Sequence, residues 1–479
     1  GAILAETYCQ GCHVLPDPSL LDAHTWQTGV LPYMGPRLGI FSHGFERYPS
    51  SRNDYFLPKD FYPSRPLLTG DEWESLMDYY IATSPDSLRT PPRSAPLEND
   101  HSLFRVDSPL YSFYRPTTCY IKVDSSGGQR SLLLADAFTK TLYRLNNRLE
   151  RIDSLHFTGP IVDIDLQANP MVACDIGMLN PNNAKLGKAY AISIGTDGKM
   201  KVDPTPLFDS LARPVQVTAA DLNHDGLTDY LVCEFGNMTG ALSWMENLGG
   251  GKFKKHVIRE VPGAIKAYVE DYNHDGLPDL WVMFAQGDEG IFLFTNEGQG
   301  RFKEESLLRF PPVYGSSYFE LADFNHDGYP DIVYTCGDNA DYSVVLKPYH
   351  GVYIFMNDGK NHFTQQYFFP LNGCYKAMAR DFDGDGDLDL AVISFFADYA
   401  HHPEEGFVYL ENKGDLSFQP HTLQAGMEGR WLTMDAADFD GDGKADILLG
   451  NFSIAPGFMK SKVDWTKSPP FLWLKNAGK

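Results

Sequence analysis

Two hydrophobic periodicities divide the chain. Trp73, Leu76, Met77, Tyr80 and Ile81 recur at helical spacing and predict a helix from Glu72 to about Thr83, with Thr69 or Asp71 as its cap. Beyond residue 101 the pattern shortens to alternating or continuous apolar runs such as TCYIKV, SLLLAD and TLYRLN, which read as strands. Between them, SPDSLRTPPRSAPLENDH is polar and Pro-rich, the composition of a semi-rigid linker. These shifts predict an N-terminal domain over 1–88, a linker over 89–101 and a β domain over 102–479.

Within the β region one nine-residue pattern returns five times: DLNHDGLTD from Asp221, DYNHDGLPD from Asp271, DFNHDGYPD from Asp323, DFDGDGDLD from Asp381 and DFDGDGKAD from Asp438. The intervals of 50, 52, 58 and 57 residues suit one four-stranded propeller blade each. Positions one, three, five and nine carry oxygen ligands: Asp221, Asn223, Asp225 and Asp229; Asp271, Asn273, Asp275 and Asp279; Asp323, Asn325, Asp327 and Asp331; Asp381, Asp383, Asp385 and Asp389; Asp438, Asp440, Asp442 and Asp446. Oxygens at alternate residues wrap a hard cation, and the Gly at position six permits the sharp turn. An EF-hand would continue into a helix, whereas Asp331 is followed by IVYT and Asp446 by ILLG, both strand-like. A solvated hairpin turn is the alternative for any single copy, but five copies in phase favour about five Ca2+ sites.

The units resemble the FG-GAP/VCBS-type repeats of integrin-like β-propellers over about three quarters of the chain. The resemblance implies calcium held in loops between the first and second strands of successive blades. Two earlier blades without the calcium pattern, one from TCYIKV and one near Ile161 to Asp165, bring the count to seven. The last blade reaches FLWLKNAGK one strand short. Because an open blade edge exposes unpaired backbone groups, Leu103 to Val106, within SLFRVDSPLYSF, is expected to supply the missing outer strand.

The N-terminal region carries Cys9-Gln10-Gly11-Cys12-His13, the spacing of covalent c-type haem attachment: two thiols for thioethers and an imidazole directed at iron. A thioredoxin-like pair and a zinc site are the competing readings. With the closing helix, residues 1 to about 88 resemble a class I cytochrome c. That resemblance implies one covalent haem c held by Cys9, Cys12 and His13, with a sixth ligand on iron. No Met lies between Met34 and Met77, so Met34 is the candidate, with His24, His43 or an open position as the alternatives. Arg37 is a candidate partner for a haem propionate. The expected fold is therefore an all-β seven-bladed β-propeller with a small all-α N-terminal cytochrome c-like domain.

A formal net charge of -23 over 479 residues disfavours nucleic acid and anionic lipid as partners and is what several carboxylate sites produce. No apolar run reaches the length of a membrane span. Cys119, Cys174, Cys233, Cys336 and Cys374 are scattered in apolar settings, as buried thiols are. Three long loops, Cys336 to Gly351, Ser394 to Gly406 and Gly450 to Pro470, are expected on the face opposite the calcium turns. They bring Tyr342, His350, Tyr399, His401, His402, Glu404 and Trp465 as candidates for a ligand, metal or protein partner. Adjacent side chains on an extended loop diverge, which makes His401 and His402 a surface cluster rather than a metal site.

No nucleophile elbow, phosphate loop or dinucleotide fingerprint occurs, so catalysis is not the leading expectation. The sequence reads as an extracytoplasmic electron-transfer protein, periplasmic or at the cell surface, whose propeller docks a redox partner or envelope complex. A surface-recognition module with accessory haem and a haem-linked oxidoreductase are the alternatives.

Overall fold

A computed structural model describes residues 1–479 apart from 94, 100, 101, 112, 127–129, 340–342 and 479. Seven antiparallel sheets follow one another round a closed ring. Blade 1 runs from Thr118 to His156, blade 2 from Ile161 to Leu211, blade 3 from Pro214 to Arg259 and blade 4 from Ala264 to Arg309. Blades 5, 6 and 7 occupy Ser316–Pro370, Cys374–Thr422 and Trp431–Asn476. The expected propeller and its blade count are thus observed.

Burial explains why these segments form blades. The second strand of six blades, for example Asp279–Phe284 and Asp389–Ser394, is buried at every residue, because a neighbouring blade covers each face. Outer strands such as Phe302–Arg309 stay largely exposed. Seven apolar clusters result, one between each pair of adjacent blades. The cluster joining blade 7 to blade 1 unites Phe439, Leu448 and Trp473 with Ile121, Leu132 and Leu134.

The ring closes as the unpaired edge requires. Phe104–Asp107 is the outer strand of blade 7, antiparallel to Phe471–Asn476, with Phe104 opposite Asn476 and Val106 opposite Leu474. The preceding segment is also fastened. Glu98–Asn99 adds a parallel strand to blade 6 opposite His421 and Thr422, and Arg93 pairs with the buried Glu405.

The N-terminal part is less helical than the expected all-α domain. Helices Ala2–Tyr8 and Gly70–Thr83 flank it, with short helical turns over 18–38 and a two-residue hairpin, Ser42–His43 with Glu46–Arg47. Proline and glycine at Pro32, Gly35, Pro36 and Gly39, then Pro49, Pro58, Pro63 and Pro66, interrupt longer helix formation. Thr69 is the observed cap of the closing helix. Glu72 Oε2 accepts the Thr69 backbone N–H at 2.8 Å and the Glu72 N–H returns to Thr69 Oγ1 at 3.3 Å. The core here gathers Trp26, Trp73, Leu76 and Tyr80 and extends to Val313 and Val345 of the propeller. Tyr349 Oη donates to the Leu20 carbonyl at 3.1 Å, and Asn183 Nδ2 to Asp54 Oδ2 at 2.7 Å, so this region seats on the ring.

Candidate cation turns and the opposite loop face

All five Asp-rich stretches join the first and second strands of blades 3 to 7 and share one backbone shape. The position-one carboxylate gathers the turn. Asp221 accepts the N–H groups of Asp225 and Gly226 at 3.1 and 2.9 Å, and Asp323 those of Asp327 and Gly328 at 3.2 and 2.9 Å. Position six is left-handed in every copy, at φ 83°, 89°, 85°, 100° and 90°, which explains its invariable Gly. Position four is left-handed too, a feature the ligand pattern does not reveal. His224, His274 and His326 sit there at φ 62°, 59° and 57°, and Gly384 and Gly441 replace them in the last two turns.

Position nine does two jobs. Asp229, Asp279, Asp331, Asp389 and Asp446 begin their strands and are fully buried. One oxygen accepts the N–H of an Asn ending the third strand, at 2.7–2.8 Å from Asn247, Asn296, Asn357, Asn412 and Asn476. In four turns the other accepts the position-two N–H, from Leu222, Phe324, Phe382 or Phe439, at 2.9–3.1 Å. A carboxylate has about four lone-pair sites, so acceptor capacity remains for a cation. Burial raises these carboxyls above the usual range, Asp389 to about 6. A bound divalent cation would oppose that shift.

The same Asn residues expose a second repeat that the ligand pattern missed. Each Oδ1 accepts the N–H of a Gly two residues on, Gly249, Gly298, Gly359, Gly414 or Gly478, at 2.9–3.1 Å. The recurring Asn-x-Gly after each third strand was its available signal. Among the described residues, carboxylate oxygens converge within 4.8 Å at Asp381, Asp383 and Asp385 and at Asp438, Asp440 and Asp446. An all-oxygen donor set suits a hard cation such as Ca2+, although in the second group Asp438 and Asp440 are already paired with Arg130 and Lys475.

At the N-terminus, Cys9 follows the first helix and is half-buried, Cys12 is exposed and His13 half-buried. Cys9 and Met34 pack on the same apolar cluster. His13 Nδ1 lies 2.9 Å from the Val14 carbonyl, which can only accept, so Nδ1 is the donor in that hydrogen bond. Burial and the adjacent Cys12 push the Cys9 thiol up to about 11. The remaining five cysteines are buried free thiols.

The opposite face differs from the expected ligand platform. His350 is buried, and Tyr399 and Trp465 pack edge to face at 4.7 Å as a small core for their own loops. Aromatic loop residues are drawn inward because each long loop must bury apolar surface of its own. His401 pairs with Asp398 at 2.9 Å and His402 with Glu404 at 3.0 Å, each with its own carboxylate, as surface groups do. Tyr342 lies outside the described residues. The blade 5 loop contributes Val345 and Tyr349 to the seat of the N-terminal region. Arg37 lies over the Phe61 ring at 4.6 Å.

The fold and its turns define a closed seven-bladed propeller built on Asp-rich repeats. Residues 221–282, 271–334 and 381–449 match the FG-GAP-like repeat, segments that include all five Asp-rich turns. The chain is 25% identical over 240 residues to the T-cell immunomodulatory protein homolog of Plasmodium falciparum, covering 41% of this chain and 32% of that protein. It is 30% identical over 217 residues to cartilage acidic protein 1 of Xenopus tropicalis, covering 39% and 30%. It is also 31% identical over 139 residues to integrin alpha-PS5 of Drosophila melanogaster, covering 26% and 14%. Each match spans about a third or less of the relative. Among the described residues no helix is long and apolar enough to cross a membrane.

Proposed function

We propose that the chain is a calcium-braced recognition module working outside the cytoplasm, in the periplasm or at the cell surface. The observation that carries this reading is the run of five alike Asp-rich turns on a closed ring, matched by the FG-GAP-like repeat and by part of an integrin alpha chain. The ring supplies a rigid frame, and loops on such a frame are where recognition concentrates. The blade 5 loop meets the N-terminal region, and the loops of blades 6 and 7 lie beside it. They expose His401, His402, Ile454 and Phe458, a mixed apolar and polar patch that suits a protein surface. The test is calcium-dependent binding of the full chain to envelope preparations, compared with His401→Ala/Phe458→Ala. Loss of binding in the variant and on chelation is expected; equal binding by both proteins refutes the assignment.

A second reading, electron transfer by a covalent haem c, is favoured by the hydrogen bond from His13 Nδ1 to the Val14 carbonyl. A ring nitrogen that donates to a carbonyl leaves the other one for a ligand role, the arrangement usual for metal-binding histidines. In this reading Cys9 and Cys12 would hold the porphyrin, His13 the iron, and Met34 is the candidate sixth ligand. The raised Cys9 thiol runs opposite to the lowered value of a catalytic dithiol. Such a haem would supply reversible one-electron chemistry. A pyridine haemochrome spectrum of the denatured chain decides the matter: covalent c-type haem is expected, and its absence removes this reading.

A further inference from the structure

The five turns are alike in backbone but not in their surroundings. In the fifth, two cationic side chains already occupy the carboxylates. Arg130, from blade 1, places Nη2 3.0 Å from Asp438 Oδ2, and Lys475, from the third strand of blade 7, pairs with Asp440. Asp438 and Asp440 are positions one and three of the turn, both needed to wrap a cation. Among the described residues no lysine or arginine forms an ion pair with the aspartates of the first three turns.

Two sequence differences create this arrangement. The residue before the third-strand Asn is Glu246, Thr295, Met356 and Glu411 in blades 3 to 6 and becomes a lysine only at Lys475. At position four, a side chain on Gly441 would collide with the Arg130 guanidinium, whereas one on Gly384 would meet nothing within 4 Å. Gly441 permits the left-handed turn, and the tip of the Arg130 side chain lies directly beside it.

We propose that the fifth turn, Asp438 to Asp446, excludes calcium and uses Arg130 and Lys475 in its place, fastening the first blade to the last without an ion. This rests on the calcium reading of the other turns. Two single positive charges replace one divalent ion, and a cation entering the turn must displace both. The position gives the substitution a purpose. Blade 7 is the blade in which the two ends of the ring are joined, and where it meets blade 1 Asp435 already binds Lys122 at 3.0 Å and the Val123 N–H at 2.8 Å. The Arg130 to Asp438 pair adds a second contact across that seam, so the closure survives when calcium is scarce.

Calcium stoichiometry of the full chain, measured by titration calorimetry, tests the proposal. Arg130→Gln/Lys475→Gln is expected to bind one more calcium than the unaltered protein. No gain overturns the proposal. Absence of calcium binding in both proteins overturns it together with the calcium reading, so the two failures are distinct. Should the double variant fail to fold, Asp438→Asn in the otherwise unaltered chain is expected to leave the stoichiometry unchanged, and a loss of one calcium overturns the proposal.

Discussion

Replacing Phe104 by Ala should loosen the whole ring, although Phe104 lies hundreds of residues from the strand it completes. Its side chain is 5% exposed and packs edge to face on Phe382 at 5.9 Å and on Tyr409 at 5.4 Å, joining the core between blades 6 and 7. Truncating a buried Phe costs about 3–5 kcal/mol, a large share of the roughly 5–15 kcal/mol that keeps a domain folded. Val106, on the same strand, is 38% exposed, and Val106→Ala should cost only about 0.5 kcal/mol. Urea unfolding followed by tryptophan fluorescence reads the difference, since Trp473 pairs with Asp107 at this seam. Phe104→Ala should move the midpoint several times further than Val106→Ala. Equal shifts would show that Phe104–Asp107 does not hold the ring closed.

Chelation should lower the melting temperature, because each site filled at a hundredfold excess over Kd adds about 2.7 kcal/mol; a Tm indifferent to calcium and chelator would defeat the cation reading. Asp163, on the inner strand of blade 2, has its carboxyl raised to about 6 by burial, against the opposing pull of Lys266 and Lys122. Its contribution to stability is therefore present below the ordinary carboxyl value and lost as pH rises through about 6. Asp163→Asn should flatten the fall in Tm between about pH 4 and 6 in chelator, and an unaltered profile would assign the dependence elsewhere. Arg93→Ala strips the buried Glu405 of its cation, leaving Asn372 at 3.2 Å, and should cost about 3 kcal/mol. Adding Glu405→Gln should recover much of that loss, and no recovery in thermal unfolding would count against an uncompensated charge.

The sequence by itself determined the features that depend on near neighbours. Aspartates at alternate positions, Gly226 and its counterparts, and the strand-like run after each Asp at position nine are local, and their period set the blade count. The closing strand was also legible, because six complete blades left FLWLKNAGK short of a partner and only one strand-like segment unused. Tertiary structure decided what depends on distant contacts. The burial of His350, Tyr399 and Trp465 is set by what packs over them. The seating of Leu20 against Tyr349 joins residues more than three hundred positions apart. Arg130 reaches Asp438 only because the ring brings blade 1 beside blade 7. Periodicity records which face of a strand is apolar, but which distant charge or ring meets it is fixed when the blades close.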